Sequence, residues 1–224
     1  TFHILPGTYL EQIELKEYTG ASDSTLVTFT SSTGDPADVV IRYGQMTALK
    51  PYTIWLNGTG YLKISNLTIE VDDGQNIFGE AIRIGNGVNK LYLDSNIIRT
   101  RPFAASGIYP VHFMQSRADS VRIKGNRISG GHTGIFWEGA GIQDLSSGNI
   151  IEENQVLDWS NKGMDLNDQN AIVVRKNLVS SSSSSYLYGL LLTACENGFL
   201  VEGNRIEALN TGRLLKVMQC AGSP

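Results

Sequence analysis

The chain has little of what most functional classes require. It has only two cysteines and three histidines in 224 residues, and neither Cys195 and Cys220 nor His3, His112 and His132 fall at the short intervals of a zinc site. Lys and Arg number 18 against 22 Asp and Glu. With a net charge of −4 and a pI near 5.4, no basic footprint marks a nucleic acid or an anionic membrane surface as a partner. No stretch reaches the roughly 18 apolar residues of a membrane span, and no segment carries a capped 3.6-residue stripe. Helix content should therefore be low. The opening TFHILPGTYL shows none of the charged, apolar and small-residue regions of a secretion leader. It begins directly on a strand-like pattern, and Leu214 to Cys220 looks like a new strand with four residues after it. Because solenoids normally cover their terminal turns, we expect a piece of a longer chain with further domains.

What the sequence has is a repeat. An apolar residue, two spacers, a Leu or Asn, one spacer and a second apolar residue recur six times, with pivots at Leu67, Asn96, Asn126, Asn154, Asn177 and Asn204. The pivots are 29, 30, 28, 23 and 27 residues apart. Counting five before, three before and two after each pivot gives eighteen positions, of which only Asn149 is polar. Polar residues such as Lys63, Asp94, Arg122 and Arg175 fall between them. That alternation is the period of a strand. A further strand precedes each pivot, as in Ala81–Ile84, Gly134–Glu138 and Gly163–Asn167.

A repeat of this length built from three strands is a coil whose turns bury their inner faces only on one another. We therefore expect an all-β, single-stranded right-handed parallel β-helix of seven to eight turns. It should form one domain over 1–224, with irregular turns over 1–70 and regular ones over 71–224. The Asn pivots suit the sharp bend between second and third strands, because Asn tolerates left-handed backbone. Stacked about 4.8 Å apart, Asn96, Asn126, Asn154, Asn177 and Asn204 should form an amide ladder. If Leu190 aligns with Leu215, then Cys195 and Cys220 share a column on consecutive turns, within reach of a disulfide; two stacked thiols are the alternative. Asp72-Asp73-Gly74 offers oxygen donors suited to calcium, but acidic turns are far more often plain turn formers. No metal or cofactor is expected, calcium being the one alternative.

Since inner residues serve packing, function falls to outward side chains. The first strands offer Arg83, Tyr109, Phe136, Asp165 and Leu191 as one column, with Glu138, Asn167 and Thr193 two residues on and His112 near its start. Aromatic faces stack on sugar rings and planar polar groups fork onto hydroxyls or carboxylates, so Arg83, Tyr109, His112, Phe136 and Asn167 are candidate polysaccharide contacts. Cover by neighbouring loops is the alternative for the aromatics. Glu138 and Asp165, one turn and two residues apart, should have Cα atoms about 8 Å apart, a spacing compatible with an inverting acid and base pair. A lyase would draw instead on Arg83 and His112 to neutralise a uronate and remove its proton.

In a likeness that covers essentially its whole length and is carried by three stretches, the chain resembles a known group. Ile4-Leu5-Pro6-Gly7-Thr8-Tyr9 is similar to the first turn, and Tyr61-Leu62-Lys63-Ile64-Ser65-Asn66-Leu67-Thr68-Ile69 to the entry into the repeats, of the pectate-lyase-like superfamily. Lys162-Gly163-Met164-Asp165-Leu166 is similar to an Asp-bearing strand of some of its lyases. The resemblance implies a secreted or cell-surface bacterial protein that binds polysaccharide and, as a lyase or hydrolase, cleaves it along the first-strand face. It equally accommodates a non-catalytic rod, either adhesive or tailspike-like, within a larger surface protein.

Overall fold

The protein is seen in a computed structural model describing residues 1–22, 24–72, 77–85, 87–104, 106–183, 188–208 and 213–220. Short parallel strands build three sheets that run along a coil, each turn contributing one strand to each sheet. First strands, among them Gly79–Gly85, Ile108–Phe113, Thr133–Trp137 and Lys162–Asn170, pair in order. So do second strands such as Leu62–Ser65, Leu91–Asp94 and Arg122–Lys124, and third strands such as Thr68–Val71, Ile97–Arg99 and Arg127–Ser129. This is the three-strand parallel β-helix expected. Among the described residues, no helix is long and apolar enough to cross a membrane.

The first turns obey the same register as the later ones. Phe2 pairs with Phe29 and Phe29 with Ile64. Gly7–Leu10 and Ile13–Lys16 are separate strands, broken where the chain passes from the third sheet to the first. Inside the coil, Leu62, Leu91, Val121 and Ile172 stack as one buried column, Ile64, Leu93, Ile123 and Ile151 as another. The polar exception, Asn149, is also buried. Its Oδ1 accepts from the Val121 amide at 2.9 Å, and its Nδ2 donates to Ala118 O and to Gln169 Oε1, both at 3.0 Å.

The amide ladder is continuous. Asn126 Oδ1 accepts from the Asn96 backbone N–H at 2.9 Å and from Asn96 Nδ2 at 3.0 Å, while Asn126 Nδ2 donates back to Leu93 O at 2.7 Å and onward to Asn154 Oδ1 at 3.0 Å. Asn154, Asn177 and Asn204 repeat the pattern. Leu67 ends it: its amide donates to Asn96 Oδ1 at 3.1 Å, but its apolar side chain passes no hydrogen bond on. The left-handed residue, however, is not the pivot but the one before it: Asn66, Ser95, Gly125, Glu153, Lys176 and Gly203 have φ between 54° and 63°. Bending one residue early turns the pivot side chain inward, where its amide meets the preceding turn's backbone. Opposite this corner, where third strands give way to first strands, Gly134, Gly163 and Gly189 sit too close to neighbours for a side chain; a Cβ on Gly163 would lie 2.3 Å from Val179 Cγ1 and 2.4 Å from Gly189 O.

Leu190 does pair with Leu215, yet the expected disulfide is not formed: Cys195 and Cys220 are free. The Cys195 amide donates to Cys220 Sγ at 3.1 Å, so the lower sulfur occupies the place of an amide acceptor, like the ladder oxygens, rather than facing the other sulfur. Burial, together with the neighbouring Cys220, pushes the Cys195 thiol up to about 12. Only the thiolate attacks an alkylating agent. Iodoacetamide on the folded protein at neutral pH is therefore expected to label Cys220 first, with Cys195 reacting only after denaturation; equal labelling of both would contradict this.

Truncating a ladder residue should be costly. Asn126→Ala strips partners from the buried Asn96 amide and the Leu93 carbonyl, each worth roughly 1–3 kcal/mol. The expected loss, read from urea unfolding, is at least about 2 kcal/mol, against little change for the exposed Arg127→Ala on the same turn.

Candidate functional site on the outer face of the first sheet

Two outward columns run along the first sheet. One contains Trp55, Arg83, His112, Phe136, Asp165 and Leu191, each paired in register with the next. The other lies three residues earlier: Tyr52 pairs with Glu80 and Glu80 with Tyr109, then further along Thr133 pairs with Lys162 and Lys162 with Tyr188. Two inward residues separate the columns on each strand, so a pair such as Glu80 and Arg83 lies on the same outer face.

His112, not Tyr109, therefore holds the place between Arg83 and Phe136, which corrects the expected column. Pro110 fills the tight corner position that Ala81 fills one turn earlier and Gly134 one turn later, and Tyr109 moves three residues back to face Glu80. Tyr109 still reaches the site through its ring, whose centroid is 4.8 Å from that of His112 and 5.1 Å from that of Phe136. His112 and Phe136 stack at 5.0 Å with 6° between planes. Tyr109 and Phe136 are half-buried, neither hidden under a loop nor fully open.

Charged groups surround this aromatic group. Glu80, which the sequence pattern did not single out, is only 3% exposed. Arg83 forks onto it, Nε to Oε2 at 2.7 Å and Nη2 to Oε1 at 3.0 Å. His112 lies between two carboxylates, Nδ1 3.0 Å from Glu80 Oε1 and Nε2 3.5 Å from Glu138 Oε1. Neither ring N–H is aligned for a hydrogen bond, so these are ionic contacts. Burial opposes a charge on His112, but Glu138 and Glu80 outweigh it and the imidazole pKa is raised. Glu138 is lowered, chiefly by His112 and against its own burial. His132, whose ring meets Tyr109 edge-on at 6.4 Å, goes the other way, lowered by burial and by Lys162.

Asp165 is 4% exposed and ion-paired with Lys162, a second residue missed at the sequence level. Its Oδ1 is buried without a hydrogen bond. Glu138 follows Trp137, which pairs with Leu166, so Asp165 stands one turn on and two residues back from it, beside Phe136. Asn167 lies farther along that strand, half-buried and paired with Thr193. In the acidic turn, Asp73 and Gly74 lie outside the described residues. Among the described residues, no three His, Cys, Asp or Glu side chains are grouped to hold a metal ion.

The family described as right handed beta helix region matches residues 52–216. The chain belongs to that family. No curated protein sequence matches this β-helix. Among solved structures it is similar to the pectin methylesterase PemA from Erwinia chrysanthemi, with 10% identity, a TM-score of 0.50, and coverage of 95% of this chain and 82% of that one. It is also similar to a GH136 lacto-N-biosidase from Eubacterium ramulus, with 13% identity, a TM-score of 0.52, and coverage of 98% of this chain and 53% of the other. At these identities the likeness is one of fold.

The opposed shifts set a pH window for the β-helix. A raised imidazole pKa contributes stability that is complete below the ordinary value of 6.5 and disappears as pH rises through the folded value. A lowered carboxyl pKa contributes stability that is complete above 4.5 and disappears as pH falls through the folded value. Both are complete between 4.5 and 6.5. The lowered His132 imidazole contributes fully only above 6.5. Thermal unfolding from pH 4 to 9 should therefore place the highest Tm of the wild type near the upper end of that interval, and His112→Gln should flatten the alkaline decline. An unchanged alkaline slope in the variant would contradict the assignment.

Proposed function

We propose that this β-helix binds a polysaccharide along the outer face of its first sheet. The observation that carries the reading is the pair of half-open rings Tyr109 and Phe136, packed on the buried His112 imidazole and edged by Glu138 and Asn167. Flat apolar rings with polar groups at their edges suit sugar rings with hydroxyl rims. Arg83 and Lys162 are taken up by Glu80 and Asp165, so the strip favours hydroxyl-rich over acidic units. The two solved structures of similar fold are a pectin methylesterase and a lacto-N-biosidase, which supports the same class. Such a ligand assigns the protein to the cell surface or the extracellular space.

Cleavage is the second reading, and the register of Glu138 and Asp165 favours it. A carboxyl pair separated by roughly 6.5–9.5 Å leaves room for an attacking water in an inverting hydrolase. Glu138, kept ionised by His112, has the charge state of the base.

A panel of neutral and acidic polysaccharides tests both. Tyr109→Ala with Phe136→Ala should abolish binding while leaving the melting curve within a few degrees of wild type; retained affinity would defeat the strip. If sugar is released, Glu138→Gln or Asp165→Asn should cut the rate by at least about a hundredfold without loss of binding. Binding without release in the wild type identifies a non-catalytic module.

A further inference from the structure

Past the aromatic strip, the outer face of the first sheet becomes cationic. Along it lie the successive strands Lys162–Asn170, Tyr188–Glu196 and Arg213–Met218. Lys162, Tyr188 and Arg213 stack as one outward column, and Asp165, Leu191 and Lys216 as the other. Lys162 is neutralised by Asp165, with Nζ 2.5 Å from Oδ2. Lys216 and Arg213 have no such partner: neither forms an ion pair with any described residue, and Arg213 is exposed. The remaining carboxylates of these strands, Asp168 and Glu196, stand beyond the two columns toward the far ends, and Asp168 Oδ2 already accepts from the Gly141 amide at 2.8 Å. Two positive charges are thus left in excess on the surface of a chain whose net charge is −4, and they repel each other unless an anion joins them.

The groups facing this spot are also donors. Lys216 Nζ gives one of its protons to the Tyr188 hydroxyl at 3.1 Å, which leaves the phenol O–H to donate outward. That hydrogen bond, with Arg213 and Lys162 nearby, lowers the phenol pKa and strengthens it as a donor. The Arg213 fork is unused. A set of donors with two charges in excess matches a ligand that is all acceptor and doubly charged. A phosphate monoester carries roughly −1.5 to −2 at neutral pH, with three acceptor oxygens, whereas a carboxylate, a sulfate ester or a phosphodiester carries a single charge.

We infer that Tyr188, Arg213 and Lys216 form a binding site for a phosphate monoester. It shares no residue with the aromatic strip and does not depend on that strip binding sugar.

Titration calorimetry of the wild-type chain near neutral pH and at constant ionic strength, with methyl phosphate, methyl sulfate and acetate, tests the inference. Methyl phosphate should bind at least about tenfold more tightly than either singly charged probe. Arg213→Ala, whose side chain has no partner to lose, should weaken methyl phosphate by about tenfold, and Arg213→Lys should recover part of that loss. Tyr188→Phe keeps every charge and removes one donor, so it should weaken binding by about threefold and abolish the tyrosine ultraviolet difference signal that methyl phosphate produces in the wild type. The Tyr109→Ala, Phe136→Ala variant should bind methyl phosphate as the wild type does, which separates this site from the aromatic strip. Equal affinity for the three probes would overturn the inference, showing a general anion patch. Unchanged affinity for methyl phosphate in Arg213→Ala, or its loss in the Tyr109→Ala, Phe136→Ala variant, would overturn it as well.

Discussion

Everything in this molecule depends on one turn lying on the next in strict register. A single turn has no core; its inner Leu, Ile and Val side chains are removed from water only by equivalents about 4.8 Å away along the axis. The Asn column enforces that register with directional bonds, since each amide takes both backbone and side-chain N–H of the turn before and returns a proton to its carbonyl. A shift of one residue would leave these buried groups without partners, and the apolar columns would turn outward. The Asn149 side chain performs a similar service on the first-to-second-strand side, joining Val121, Ala118 and Gln169.

The outer surface inherits its order from this inner one. Because residues about 28 positions apart become lateral neighbours, charge clusters assemble from turns with no local relationship in sequence. Glu70 with Arg42 and Arg99 is one; Glu152 with Arg122, Lys124 and Arg175 is another, each a buried carboxylate among cations from the turns on either side of it. His112 between Glu80 and Glu138 is a third, and its central member is an imidazole whose pKa the two carboxylates raise against its burial. The first two serve as struts between turns, while the last lies against an aromatic surface. That difference supports the recognition surface proposed on the first sheet.

How much of this was legible depended on which face a residue occupies. The inner columns and the amide pivots repeat at a visible interval, so the fold and all five ladder asparagines followed from the sequence. The outer face was harder. Strict alternation assigns Glu80 and Lys162 to the interior, because two successive inward residues at the third-to-first-strand corner break the period. Pro110 stands at that corner in place of Ala or Gly, and this displaced Tyr109 from its expected column. The left-handed residue was misplaced by one, since the propensity of Asn for that region is real but its amide is needed inside. The cysteines were correctly aligned, yet an amide-to-sulfur contact replaced the bridge.

Hydrogen exchange at the pivot backbone amides tests the stacked register most directly. Asn96, Asn126, Asn154 and Asn177 each donate a backbone N–H to the side chain of the following turn. Their exchange, followed by NMR in the intact chain, should be as slow as that of the central inner-strand amides of Ile98 and Ile128, opening only with global unfolding. Exchange at the rate of exposed turns, while those strand amides stay protected, would contradict a coil held in register by its asparagines.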